Sequence, residues 1–337
     1  MLYITTKDQK DAYTAYKTLV GDCAADGGLY MPMRIQKYSA EEIAQLKDRS
    51  FGDIVAQILN YFFSAQLTAW DVDFAIGRNP VKLVTLSRKI VISEVWHNPE
   101  AAYTGFEKSL FRKLSQNGGV ATLPTDWAKT AIRIAVLFGV YGELCRNGVL
   151  SESRTFDLAM DISEYFAPIA AVYAKEMGLP IGKILCCCTS ENGAVWDLIH
   201  RNELSTATLS VQLRLGLLRL LYVTYGEKEL DRFTEACEKR GIYSVDDEAE
   251  HKLSDLLFCV VVGNERRSTV INSAYRTDNY LIDPDTALPF GAIQDYRSKA
   301  GETNTTLLFA EKDPAASVNA IIKATGMSTD AFYRLIK

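Results

Sequence analysis

Between Thr155 and Thr189 the sequence reads strand, helix, strand, and this unit limits the fold more than any other stretch. Thr155–Ile162 has the composition of a strand. Pro168–Met177 follows as a helix, with Pro168 in the first turn, where a missing N–H costs nothing. Gly178 is placed as its left-handed cap, with Pro180 beyond. Lys183–Thr189 is a short apolar run of the kind buried on both faces of a parallel sheet. Strands joined through a helix lie parallel in one sheet.

The alternation recurs. Val81–Leu86 and Ile90–Trp96 give strand signals. A helix follows, with Tyr103, Phe106, Leu110 and Leu114 at helical spacing. After a loop containing one short strand candidate, Val120–Leu123, either Thr125 or Asp126 caps a long helix, Trp127–Arg146, which Asn147-Gly148 ends. Ser190 caps Glu191–His200. Leu209–Tyr225 and Glu227–Arg240 are helical, and Ser244 with Asp247 starts another helix running to about Val262. Thr269–Thr277 adds one more, and Asn304–Glu311 is the final strand. The expected class is α/β, a parallel sheet flanked by helices.

Ahead of this core, residues 1–80 read as a small helical N-terminal domain. Leu2–Thr6 is extended, and a helix is centred on Ala12–Leu19. Asp26-Gly27-Gly28 marks a tight turn, read as structural. Three short helices between residues 39 and 76 carry start signals in Ser39/Glu42, Ser50/Asp53 and Thr68/Asp71. The α/β core takes residues 81–337.

Composition narrows the function classes. Net charge is −5 with Lys and Arg scattered, which argues against a nucleic-acid partner. No run of about 18 apolar residues predicts a membrane span, and the first residues lack the apolar core of a secretion signal. Seven cysteines is an odd number, which disfavours a disulfide framework and fits a cytoplasmic location. Cys186, Cys187 and Cys188 are adjacent on a predicted strand, so their thiols alternate between faces and are read as core.

The residues offer little overt chemistry. The three histidines, His97, His200 and His251, are far apart and no Cys-x-x-Cys spacing occurs, so no metal site is expected. No nucleophile elbow, P-loop or dinucleotide fingerprint is present. His97, in the turn between a strand and a helix, is a candidate general base. Glu100, Glu107, Asp161, Glu164, Asp283 and Glu311 fall near the ends of predicted elements, where a cleft would form.

Seven segments in order resemble threonine synthase, a pyridoxal-phosphate (PLP) enzyme of fold type II. Asp26–Tyr30 with Met31-Pro32 is similar to "PDGGLYVP", and His97–Phe106 to "HGPTLAFKDF". Thr125-Asp126-Trp127-Ala128 resembles "INWAR", AKEMGLPI at Ala174–Ile181 resembles "AKKMGLPI", and Thr189–Asn192 resembles "ATNEND". YLIDPDTA at Tyr280–Ala287 is similar to "YLLDPHTA", and Asp313-Pro314-Ala315 to "HPAKF".

The resemblance also implies losses. The family's Schiff-base lysine falls on Thr104, whose hydroxyl cannot form an imine; Lys108 lies one turn further along. The ten residues between Leu114 and Thr125 stand where the family has a small α/β domain with its substrate loop, so that domain is expected to be deleted. The phosphate loop "TGNFG" falls on Ile162–Phe166: Ser163 and Phe166 replace its glycines, and Glu164 and Tyr165 lie between them. Glu311 falls on the threonine beside the pyridine nitrogen.

The resemblance thus implies a threonine-synthase-like protein that needs no cofactor and binds an unknown small molecule or protein partner. Deleting a domain exposes surface that self-association or a complex would cover. Two alternatives stay open: a divergent PLP-dependent threonine synthase acting on O-phosphohomoserine, anchored by Lys108 or by a lysine from another chain, or a PLP-independent enzyme using His97, Glu164 or Glu311 as acid and base.

Overall fold

The structure is a computed structural model describing residues 1–8, 10–77, 81–97, 111–112, 125–152, 154–162, 165–188, 194–245, 250–301 and 304–336. Val120–Leu123 lies outside these residues, and of the helix expected through Leu114 only Phe111 and Arg112 are described, both helical.

The N-terminal region holds a sheet as well as the expected helices. β1 (Leu2–Thr5) pairs antiparallel with β2 (Tyr13–Thr14) and β3 (Tyr30–Pro32). α1 (Ala15–Val20) follows β2. The Asp26-Gly27-Gly28 turn is structural: Gly27 has φ +76°, the Gly28 N–H donates to Asp26 Oδ1 at 2.8 Å, and Asp26 Oδ2 accepts from Thr5 Oγ1 at 2.8 Å. α2 (Ala40–Ala44), α3 (Phe51–Phe63) and α4 (Ala69–Ile76) begin at Ser39, Ser50 and Thr68, whose side chains accept from backbone N–H groups three residues on.

β4 (Lys82–Leu86) and β5 (Ile90–Glu94) form a hairpin. α5 (Asp126–Arg146) is buried almost all round. Thr125 is its cap: its Oγ1 accepts from the Ala128 N–H at 3.1 Å and donates to the Thr18 carbonyl at 2.7 Å. α3 crosses α5 at two glycines, where a Cβ would lie 2.7 Å from the Phe51 ring (Gly139) and 2.6 Å from Ile54 Cδ1 (Gly142).

β6 (Phe156–Asp161), α6 (Phe166–Glu176) and β7 (Ile181–Cys188) form the expected strand–helix–strand unit, with β6 and β7 parallel. Next come α7 (Ala194–Arg201), β8 (Glu203–Ser205), α8 (Val211–Tyr225), α9 (Glu227–Lys239) and β9 (Ile242–Ser244). β8 and β9 pair as a small antiparallel ladder that the sequence reading missed.

The helix expected from Ser244 to about Val262 is replaced by a short one, α10 (Glu250–Leu256), running directly into a strand, β10 (Leu257–Val261). LFCVV is apolar throughout, and a run of five such residues fits a buried strand as well as a helix. Pairing with β7 decides it. α11 (Asn264–Asp278), α12 (Ala287–Ala300), β11 (Thr305–Ala310), α13 (Val318–Thr325) and α14 (Thr329–Leu335) complete the chain.

Among the described residues six strands form the main sheet, in the order β10-β7-β6-β11-β5-β4. All neighbours are parallel except β4, which is antiparallel to β5 at one edge. The sheet is therefore mixed rather than wholly parallel. One face is covered by the α3, α5, α6 and α8 side, whose core includes Trp127, Phe138, Tyr141 and Tyr173. The other is covered by α11, α12 and α13, with Ile271, Phe290, Ile293 and Ile321. Burial on both faces explains the near-continuous apolar character of β5, β7 and β11.

Candidate functional site

The parallel strands all end on one edge of the sheet, and open α/β sheets bind ligands beyond that carboxyl edge. A cleft of about 220 Å³ opens there between α5, α6, β6, β11 and the turn ahead of α12. Asp161 closes β6, Glu311 and Lys312 follow β11, Asp283 and Asp285 come from the turn, and Arg133 comes from α5. Ala159, Met160, Leu137, Ala170 and Phe309 supply apolar walls.

The turn is built by its own aspartate. Asp283 Oδ1 accepts from the N–H groups of Asp285 (2.9 Å) and Thr286 (3.3 Å), and its other oxygen accepts from the Thr286 hydroxyl. Burial raises the Asp283 pKa, and these hydrogen bonds pull it back only in part. Across the mouth, Asp285 pairs with Lys312. Arg133, 5% exposed, lies in the middle of the apolar α5.

Phe166 opens α6 and sets its ring against two cations of α5, with Lys129 Nζ 4.8 Å and the Arg133 guanidinium carbon 5.9 Å from the ring centre. Tyr165 donates to Asp126 Oδ2 at 2.8 Å and stacks obliquely on Phe166, 4.2 Å away.

A second constellation sits at the end of β5 on the same edge. The Glu94 carboxylate, 3% exposed, accepts from the Tyr280 hydroxyl, pairs with Lys82 Nζ at 3.1 Å and is within hydrogen-bond reach of His97 Nε2. Trp96 lies against the His97 ring, 3.6 Å between centres. Burial, reinforced by the adjacent Glu94, pushes the Tyr280 hydroxyl pKa up, so Tyr280 stays a donor. Glu94 is paired in register with Ala310, and Glu311 follows directly.

Of the residues singled out from the sequence, Asp161, Asp283 and Glu311 line the cleft. His97 joins the Glu94 constellation, and Tyr165 and Phe166 sit at the start of α6. Thr104, Lys108, Ser163, Glu164, Glu100 and Glu107 lie outside the described residues. His200 is remote, stacked on Trp196. The three adjacent cysteines are buried in β7; burial raises the thiol pKa values of Cys186 and Cys187, and Cys188 Sγ lies 3.8 Å from Cys259 Sγ on β10.

Sequence reasoning missed Arg133, Asp285, Lys312 and Glu94. For Arg133 a signal existed: a single guanidinium between Ile132 and Ile134 in an otherwise apolar helix. Among the described residues no group of three His, Cys, Asp or Glu side chains is placed to hold a metal ion, and no helix is long and apolar enough to cross a membrane.

Comparison with known proteins supports the resemblance read from the motifs. The family model described as threonine synthase N terminus matches residues 2–78. Threonine synthase-like 1 from Pongo abelii is 24% identical over 175 residues, which is 48% of this chain but only 23% of that protein. Threonine synthase from Pseudomonas aeruginosa is 20% identical over 91% of this chain and 87% of its own length. The crystal structure of PLP-bound threonine synthase from Brucella melitensis superposes with a TM-score of 0.78 at 16% identity, covering 100% of this chain and 94% of that one. The chain therefore resembles threonine synthase in sequence and has its α/β fold.

Proposed function

We propose that this threonine-synthase-like chain binds a small amine-bearing molecule in the carboxyl-edge cleft, without PLP. The observation that carries the reading is the charge of the lining. Four carboxylates, Asp161, Asp283, Asp285 and Glu311, face two cations, Arg133 and Lys312. A ligand with an ammonium group and a carboxylate, such as a free amino acid, meets both signs there.

PLP fits these side chains poorly. Its phosphate dianion would enter a cleft with a carboxylate excess. Phe166, at the position matched to a glycine of the family's phosphate loop, puts a bulky ring at the start of α6, where a phosphate cradle needs bare backbone. Among the described lining residues Lys312 is the one amine, and it is paired with Asp285. Thr104 stands at the position matched to the family's lysine, and ten residues stand where the family has a small domain; both fit a protein that has left the family's chemistry.

The test is a thermal-shift titration with L-homoserine and, separately, PLP. L-homoserine should raise Tm with concentration, as a ligand specific for the folded state does, and Asp161→Asn with Arg133→Gln should abolish the rise. PLP should give no stoichiometric, borohydride-fixable visible absorbance. Such absorbance lost on Lys108→Ala, together with threonine and phosphate formed from O-phosphohomoserine, would overturn the proposal.

A second reading rests on Glu94, whose buried carboxylate is placed to orient His97 as an acid–base group on the same edge. Loss of turnover in His97→Gln, with amino-acid binding intact, would separate it from the first.

A further inference from the structure

We propose that a groove at the opposite, amino-terminal edge of the main sheet is a binding site for a small organic anion, a phosphate or carboxylate ester-sized group carried on an apolar body. The groove, about 380 Å³, runs between the tip of the β4–β5 hairpin and helices α11 and α12. Its floor is apolar, with Ile90, Ala274, Phe290 and Ile293. Its rim carries Arg88, Arg297 and the hydroxyls of Ser273 and Thr277.

The hairpin tip is held in an unusual shape. Arg88 and the neighbouring Lys89 both have φ +57°, in the left-handed region that non-glycine residues seldom adopt. Two anchors hold it there. The Ser87 N–H donates to Asp278 Oδ1 at 2.7 Å, and Arg297 donates to the Arg88 carbonyl, to the Lys89 carbonyl at 3.4 Å and to Thr306 Oγ1 at 3.1 Å. Backbone strain kept in place by long-range contacts is a device found at ligand clamps.

The charge left over points to an anion. The anchors of Arg297 are neutral oxygens, so its charge is not neutralised by them. Burial lowers its pKa, the buried Asp157 carboxylate pulls it back only in part, and the neighbouring Arg88 lowers it further. The Asp278 carboxylate is engaged by a backbone N–H. The exposed Arg88 guanidinium makes no hydrogen bond or ion pair with the described residues, although it lines the groove. Among the described lining residues two guanidinium groups thus stand against one carboxylate, with Asp157 buried behind Arg297, beside two hydroxyls and over four apolar side chains. An inorganic ion would satisfy the rim and leave the floor wet; an aryl or alkyl anion satisfies both. This site lies across the sheet from the cleft and does not depend on the reading given for it.

Titration calorimetry on the whole chain with phenyl phosphate, inorganic phosphate and benzylamine tests this. Phenyl phosphate should bind once per chain, inorganic phosphate about tenfold more weakly, and benzylamine not at all. Arg88→Gly removes the guanidinium and accepts the left-handed backbone; it should weaken phenyl phosphate about tenfold or more. Thr277→Trp, on the exposed rim, should block the groove, whereas Asp161→Asn in the cleft should change nothing. Undiminished binding in both Arg88→Gly and Thr277→Trp overturns the proposal, as does equal binding of benzylamine or no binding of phenyl phosphate.

Discussion

Arg219 and Asp22, 197 residues apart, form an ion pair of 3.2 Å that ties helix α8 to the start of α5. Arg219 is 1% exposed and also donates to the Tyr30 carbonyl at 2.8 Å. Asp22 in turn accepts from the N–H groups of Asp126 and Trp127, each at 3.0 Å, at the positive end of α5. One carboxylate thus joins the N-terminal region, α5 and α8.

Asp22→Ala should therefore cost about 3–5 kcal/mol, because it takes the ion partner from a buried guanidinium and the acceptor from two N–H groups. Arg219→Met should cost less, since Asp22 keeps its two N–H donors. The double variant should be more stable than the sum of the single losses predicts, a non-additivity that denaturant unfolding measures directly.

Gly178→Ala should destabilise by roughly 3 kcal/mol. The residue has φ +113°, and an added Cβ would lie 2.6 Å from the Tyr38 carbonyl oxygen, a backbone atom that cannot swing away. A shift of the urea midpoint without a change in slope checks this. Gly148→Ala, with positive φ but no close neighbour, should cost less.

Alkaline unfolding should begin above pH 10. Burial pushes Tyr38 and Tyr225 up to about 12 from an ordinary 10.0, and raises Tyr3, Tyr165, Tyr173, Tyr243 and Tyr280 further. A raised folded-state pKa means that the native state holds the proton more tightly. Its stabilisation is complete below the unfolded value and is lost as pH rises through the folded one. Tyrosinate absorbance from these rings should therefore appear together with loss of circular dichroism. A titration of all tyrosines well before the loss of structure would contradict this.

Thiol reactivity should divide by position. Cys23 is exposed, while Cys186, Cys187, Cys188 and Cys259 are buried in adjacent strands. A bulky disulfide reagent should modify Cys23 in the native protein and reach the four strand thiols only on unfolding. Rapid native modification of Cys188 would show that β7 opens locally.

Much of this was legible because its signals are short-range. Ser39, Ser50 and Thr68 each cap a helix through an N–H three residues away, so the start sites can be read from four letters. The β6–α6–β7 unit was readable because Gly178 and Pro180 punctuate it. β10 was not, since a five-residue apolar run becomes a strand only by finding β7. The β8–β9 ladder failed the same way: three-residue segments separated by two helices carry no local strand signal.

The sequence by itself determined the class of fold, the caps and turns, the threonine-synthase resemblance, and the fact that Asp161, Asp283 and Glu311 stand at element ends. Only the tertiary structure decided that these three share a cleft with Arg133, Asp285 and Lys312, and that Glu94 sits beneath His97. The reason is the ordering of the strands. β6 and β11 are adjacent although well over a hundred residues separate them in the chain, and β11 lies beside β5, which precedes both. Such neighbours are chosen by long-range burial and pairing, and no window of local sequence contains them.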